Sequence, residues 1–195
     1  MSRVKFLCDI NRCIDCNGCV VACKEGHHIP VGINRRTVIT IEQGHPGEKS
    51  ISVACMHCSD PPCLAVCPVD AIYQREDGVV LVNKKTCIGC GYCFMACPFG
   101  APQFPKGAVF GARGAMDKCT FCAGGPEDNF SEEEKHLYGQ NRMAEGKPPL
   151  CASMCATKAL LGGDGEVVAD IFRKRLARSG SDDEAWGWKK AYRDE

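Results

Sequence analysis

Residues 87–98 read CIGCGYCFMACP, four cysteines at spacings of two, two and three residues with a proline directly after the last. The pattern recurs along the chain. Cys13, Cys16, Cys19 and Cys23 repeat the spacing; Cys55, Cys58, Cys63 and Cys67 repeat it with two extra residues in the middle gap, followed by Pro68. A fourth group is split: Cys119 and Cys122, then 28 residues, then Cys151 and Cys155. Of 17 cysteines in 195 residues, only Cys8 is left over.

Three thiolates two residues apart can sit on one tight loop and reach three irons of a single cubane. The fourth iron faces away, so its ligand must come from elsewhere. In two-cluster ferredoxins the fourth cysteine of each run serves the other cluster, and residues 87–98 match that run residue for residue. Zinc asks for two Cys-x2-Cys pairs closing one tetrahedral site, which accounts for neither the third nor the fourth cysteine of a run. Disulfides belong mostly to short secreted chains, whereas MSRVKFLCDINRC has no apolar run that could act as a secretory signal and the cysteine count is odd. Aromatics are 7% of the chain and Gly plus Pro number 32, so four 4Fe–4S clusters are expected to supply the core that aliphatics do not. Net charge is +0, which gives no reason to expect nucleic acid or an anionic membrane as partner. No stretch approaches the ~18 apolar residues of a membrane span.

Three terminal cysteines are followed by an alanine four residues on: Ala71, Ala101 and Ala159. Apolar runs flank Asp77-Gly78 and Asp164-Gly165, which predicts a β-hairpin at each. The chain therefore reads as a repeat of ferredoxin half-units. Runs two and three flank one hairpin and form an inner module at 50–105, leaving runs one and four to pair across it. The expected ligand sets are Cys13, Cys16, Cys19 and Cys155; Cys23, Cys119, Cys122 and Cys151; Cys55, Cys58, Cys63 and Cys97; and Cys67, Cys87, Cys90 and Cys93. The alternative closes a local site from Cys119, Cys122, Cys151 and Cys155, which strands Cys23. The fold class is α+β: two ferredoxin-like modules, one inserted in the other, with the outer module made of 1–49 and 106–166.

The stretch 123–150 is an insertion, bounded by GGP and GKPP. Within it SEEE from Ser131 to Glu134 is a capping box, predicting a short helix near 131–145. It is either a solvated cap over a cluster or a docking surface. Residues 167–178 have the alternation of an amphipathic helix. The tail to 195 carries Trp186, Trp188 and Tyr192 and either anchors on another subunit or folds back. Cys8 lies in the strand-like KFLCDI and is a buried thiol, not a ligand. With four thiolates at every site, His27, His28 and His57 are outer-layer or surface residues. Lys24, Lys84, Lys85 and Lys118 adjoin runs; a cation there raises a cluster's potential, although most are ordinary surface lysines.

Four runs paired outer with outer and inner with inner resemble the iron–sulfur electron-transfer subunits of molybdenum- and tungsten-pterin oxidoreductases. These include the β subunits of formate dehydrogenase, dimethyl sulfoxide reductase, polysulfide reductase and nitrate reductase. The resemblance covers residues 1–165 and is nearest to formate dehydrogenase in CDINRCIDCNGCVVACKEGHHIPVGINRR, CGYCFMACPFGAPQFP, CAGGPEDN, YGQNRMAEGKPPLCASMC and WGWKKAY. Nitrate reductase relatives carry Trp at the second position of the third run and a three-iron cluster there; Cys90 stands at that position here. The resemblance implies no bond chemistry in this chain. Formate would be oxidised at a molybdenum or tungsten bis-pterin in a catalytic partner, and electrons would leave to a cytochrome or other acceptor. Membrane-bound relatives often end in a transmembrane helix, which this chain lacks. The expected compartment is the cytoplasm, or the periplasm by co-export with a signal-bearing partner. A relay for a sulfur-compound reductase or aldehyde oxidoreductase, or a free polyferredoxin, are the alternatives.

Overall fold

In the computed structural model, which describes residues 3–105, 113–126 and 131–179, the chain opens on strand β1 (Val4–Cys8) and helix α1 (Gly18–Gly26). A hairpin of β2 (Arg36–Ile41) and β3 (Lys49–Ala54) follows, then helix α2 (Pro62–Ala65). The short hairpin of β4 (Ile72–Gln74) and β5 (Val80–Val82) leads to helix α3 (Tyr92–Ala96). Helices α4 (Glu132–Tyr138) and α5 (Leu150–Ser153), strand β6 (Leu160–Asp164) and helix α6 (Gly165–Ser179) complete it.

Three two-stranded antiparallel sheets organise these elements. β4 and β5 form the expected turn at Asp77-Gly78, where Gly78 takes φ 82° and the Asp77 carboxylate accepts from the Val79 N–H at 3.1 Å. The second Asp-Gly pair behaves differently. Asp164 Oδ1 accepts from the N–H groups of Glu166 (2.9 Å) and Val167 (3.3 Å), so the pair starts α6 instead of turning a hairpin. An aspartate that can turn a strand can also cap a helix, and here the cap wins. β6 pairs instead with β1, Cys8 lying opposite Leu160 and Val4 opposite Asp164. The two ends of the cysteine pattern are thereby laced together.

Helix packing follows the same division. α1 packs on α5, and α2 on α3. The core is correspondingly fragmented: Cys63, Ala71, Ile72, Val80, Val82, Cys93 and Met116 form one cluster, and Cys19, Cys151, Ala152 and Leu160 another. Met116 brings residues 113–118 against the first of these clusters, and Asp117 bridges Gln103.

The insertion folds back. Ser131 Oγ accepts from the Glu134 N–H at 3.2 Å, α4 stops at Gly139 (φ 91°), and Tyr138 is buried with its hydroxyl taking the Lys84 N–H at 2.8 Å. α4 is thus shorter than the expected 131–145. Trp186, Trp188 and Tyr192 lie outside the described residues. Among those described, no helix is long and apolar enough to cross a membrane.

Candidate metal centres

The backbone repeats wherever the cysteines do. Two residues after the first cysteine of each run the chain turns left-handed: Asp15 (φ 54°), His57 (46°), Gly89 (69°) and Phe121 (58°). A positive φ at a side chain as bulky as Phe121 is costly and rare. The positive φ recurs at four equivalent positions and marks four loops wrapped in one way. The third cysteine of each run is the second residue of a helix: Cys19 on α1, Cys63 on α2, Cys93 on α3 and Cys151 on α5. All four are buried. Cys151 thus occupies the same helix position as the third cysteine of each other run. Three residues past the terminal cysteine the chain turns left-handed again at Asp70, Gly100 and Lys158, seating Ala71 and Ala159 fully inside. Run one departs here, because α1 continues through Cys23 to Gly26.

Two cavities show what the inner loops enclose. One is lined by Cys67, Cys87, Cys90 and Cys93 with Ala71, Ile72, Phe104 and Met116. The other is lined by Cys55, Cys58, Cys63 and Cys97 with Pro61, Pro102 and Lys118. Each ring takes three thiols from one run and the terminal thiol of the other. The thiols surround a space and do not converge on a point: among the described residues no three His, Cys, Asp or Glu side chains come together as ligands of a single ion. Burial pushes the Cys93 thiol up to about 11 and also raises Cys63, against which the nearby Lys118 ammonium acts.

The outer thiols are drawn together by α1, α5 and the β1–β6 pair. Cys23 is pushed up to about 12, first by burial and then by neighbouring Cys151 and Cys122. Cys119, fully enclosed, is raised by burial and feels Cys23 and Cys151. Cys23 thus lies near Cys119, Cys122 and Cys151. Cys155 packs against the cluster containing Cys19, Ala152 and Leu160. Cys13 is half-buried and Cys16 exposed on the loop before α1. Thiols held protonated by burial must release their protons when they bind metal as thiolates.

Backbone and side-chain donors point at the sulfurs. The N–H groups of Ala71, Met116, Phe121, Leu150 and Leu160 lie 3.3–3.4 Å from Sγ of Cys67, Cys87, Cys119, Cys122 and Cys155. His27 Nε2 is 3.1 Å from Cys122 Sγ, and Ser52 Oγ is 3.2 Å from Cys19 Sγ. Such bonds stabilise thiolate charge and tune a bound cluster. His27 is a buried contact of a run-four thiol, and burial lowers its pKa to about 4. His57 accepts the Val80 N–H at 3.0 Å on Nδ1, whereas His28 is exposed. Lys118 is buried at 2% exposure with its ammonium on the Val80 and Cys119 carbonyls, while Lys85 is exposed. Cys8 is half-buried and takes the Ser52 N–H at 3.4 Å. Ser52 and Arg36, both inside the β2–β3 hairpin, carry no sequence signal of their own beyond strand alternation.

A family model described as a 4Fe-4S dicluster domain matches residues 49–130. The protein is 63% identical to the formate dehydrogenase iron-sulfur subunit of Wolinella succinogenes, over 99% of its own length and 98% of that subunit's. It is 35% identical to the thiosulfate reductase electron transfer subunit of Salmonella typhi, over 90% and 88%. It is also 35% identical to a subunit of the anaerobic dimethyl sulfoxide reductase of Escherichia coli, over 80% and 70%.

Proposed function

This chain belongs to the family of iron–sulfur electron-transfer subunits that includes those of formate dehydrogenase, thiosulfate reductase and dimethyl sulfoxide reductase, and on that premise we propose that it relays electrons from formate, oxidised in a partner subunit, to a downstream acceptor. The observation that carries the assignment to formate is 63% identity across nearly the whole of both chains. The partner would hold a molybdenum or tungsten bis-pterin, and the acceptor would be a cytochrome or another redox subunit.

Within the chain, four 4Fe–4S clusters would be held by the sets Cys13, Cys16, Cys19, Cys155; Cys23, Cys119, Cys122, Cys151; Cys55, Cys58, Cys63, Cys97; and Cys67, Cys87, Cys90, Cys93, in two nested ferredoxin-like modules. The ringed inner cavities, the nearness of Cys23 to Cys119, Cys122 and Cys151, and the lacing of β1 to β6 support that assignment. A bound cluster supplies one-electron chemistry at a potential set by charge, sulfur hydrogen bonds and burial. The chain's own residues do the rest. Sixteen thiolates fix position, the N–H groups of Ala71, Met116, Phe121, Leu150 and Leu160 steady sulfur charge, and Met116 and Phe121 keep water away.

Purification of the chain from its native source tests the function. Formate-dependent dye reduction, with molybdenum or tungsten in a co-purifying large subunit, is the expected result. A large subunit that turns over a sulfur compound but not formate would overturn the substrate, and a chain recovered alone would overturn its place in a complex.

A further inference from the structure

The β2–β3 hairpin is turned inside out. On β2, Arg36, Val38 and Thr40 point inward while Thr37, Ile39 and Ile41 are exposed. On β3, Ser50 and Ser52 are buried between less covered neighbours. An antiparallel pair with one covered face ordinarily puts its apolar side chains on that face. Here two isoleucines face out, and an arginine and two serines face in. The reversal makes physical sense where the covered body is charged.

Arg36 is 2% exposed. Its Nη1 donates to Ser52 Oγ at 2.9 Å and its guanidinium lies 4.3 Å from the centre of the Phe6 ring. Its Nη2 is buried with no hydrogen-bond partner among the described residues. A guanidinium buried without a counter-charge is costly. Cys19 and Cys151, one thiol from each outer ligand set, pack in one buried cluster against Phe6, the ring that Arg36 covers, and thiols of both sets favour its charge. Towards Cys19 the link runs through Ser52, whose Oγ sits 3.2 Å from that sulfur.

We propose that Arg36 is the counter-charge shared by the two outer clusters, a cation fixed between them by Ser52 and Phe6 that raises both reduction potentials and weakens the repulsion between neighbouring reduced clusters. The proposal rests on the reading that the outer sets hold clusters. Reduction places one electron on a cluster; no bond forms or breaks and no proton moves at Arg36. The added negative charge is met by a fixed cation in a medium of low dielectric, where Coulomb attraction is strong. Arg36 is a positioning and tuning residue, since it reaches the redox centres through thiolates and Ser52.

The test is an EPR-monitored redox titration of the full chain in its complex, comparing wild type with Arg36→Gln, Arg36→Lys and Ser52→Ala. Arg36→Gln is expected to move two components to lower potential, each by about tenfold in its reduction equilibrium, or ~59 mV for one electron, and to leave the others in place. Arg36→Lys keeps the charge and recovers most of that shift. Ser52→Ala, which removes the hydroxyl that fixes the guanidinium, lowers the same two components, the one tied to Cys19 more. Unmoved potentials in Arg36→Gln, an equal shift in all components, or a lysine variant indistinguishable from glutamine would overturn the proposal. Should Arg36→Gln fail to assemble, Ser52→Ala decides: two lowered components support the proposal, and none, or the one tied to Cys19 alone, overturns it. A wild-type protein lacking the outer components altogether would sink the outer ligand sets and this inference together. With those components present and unmoved, only the role of Arg36 fails.

Discussion

Asp117 grips Arg35 with both oxygens, Oδ1 to Nε at 2.8 Å and Oδ2 to Nη2 at 3.1 Å, while Lys84 approaches Oδ2 at 3.6 Å. Arg35 also donates to the Tyr138 carbonyl at 3.1 Å, so one buried pair joins the start of β2, the inner unit and the folded-back insertion. Removing one partner of a buried, hydrogen-bonded pair leaves a charge uncompensated. Asp117→Ala is therefore expected to cost about 3–5 kcal/mol, read as an earlier loss of cluster absorbance in a urea titration; an unchanged midpoint would show that the pair is idle. Neither this pair nor Arg36 or Ser52 is legible in the sequence as a site residue, whereas His27 and Lys118 are legible only through their nearness to cysteine runs. The sixteen cysteines are, because their spacing is a local property of the chain. Arg35 and Asp117 stand 82 positions apart, and His27 and Cys122 stand 95 apart, so only tertiary structure introduces them.

Elements are legible in proportion to how local their causes are. Asp77-Gly78 turns a hairpin because its own carboxylate and its own glycine suffice. Asp164-Gly165 has the same letters, but β6 takes β1 as partner and frees the aspartate to cap α6. The β2–β3 hairpin does not stand out in the sequence, because its inner side is polar where strand alternation normally places apolar residues. Packing also bears on where the proposed inner unit ends. Met116 sits in its core and donates its N–H to Cys87 Sγ, and Lys118 lines its second cavity. A fragment of residues 48–118 is therefore expected to retain two clusters after reconstitution more durably than one of residues 48–108. Residues 1–48 alone should hold none, lacking β6 and α5. Equal cluster lifetimes in the two longer fragments, followed by absorbance, would show that residues 113–118 contribute nothing to the inner unit.

At the scale of the whole molecule, the proposed clusters would close the chain along with its strands. β1–β6 and α1–α5 bring residues near 19 and 151 together across everything in between, an arrangement that two-cluster crossing requires and that a series of independent knuckles would not. The central claim is that Cys155 completes the first loop while Cys23 completes the split fourth run. Paired substitutions separate this from a local site of Cys119, Cys122, Cys151 and Cys155, because two ligands of one cluster disturb one redox component and ligands of two clusters disturb two. EPR spectra of the reduced full chain carrying Cys16→Ala with Cys155→Ala should show a single component altered, and Cys122→Ala with Cys155→Ala should alter two. The reverse pattern, two components in the first double variant and one in the second, would contradict the crossed assignment.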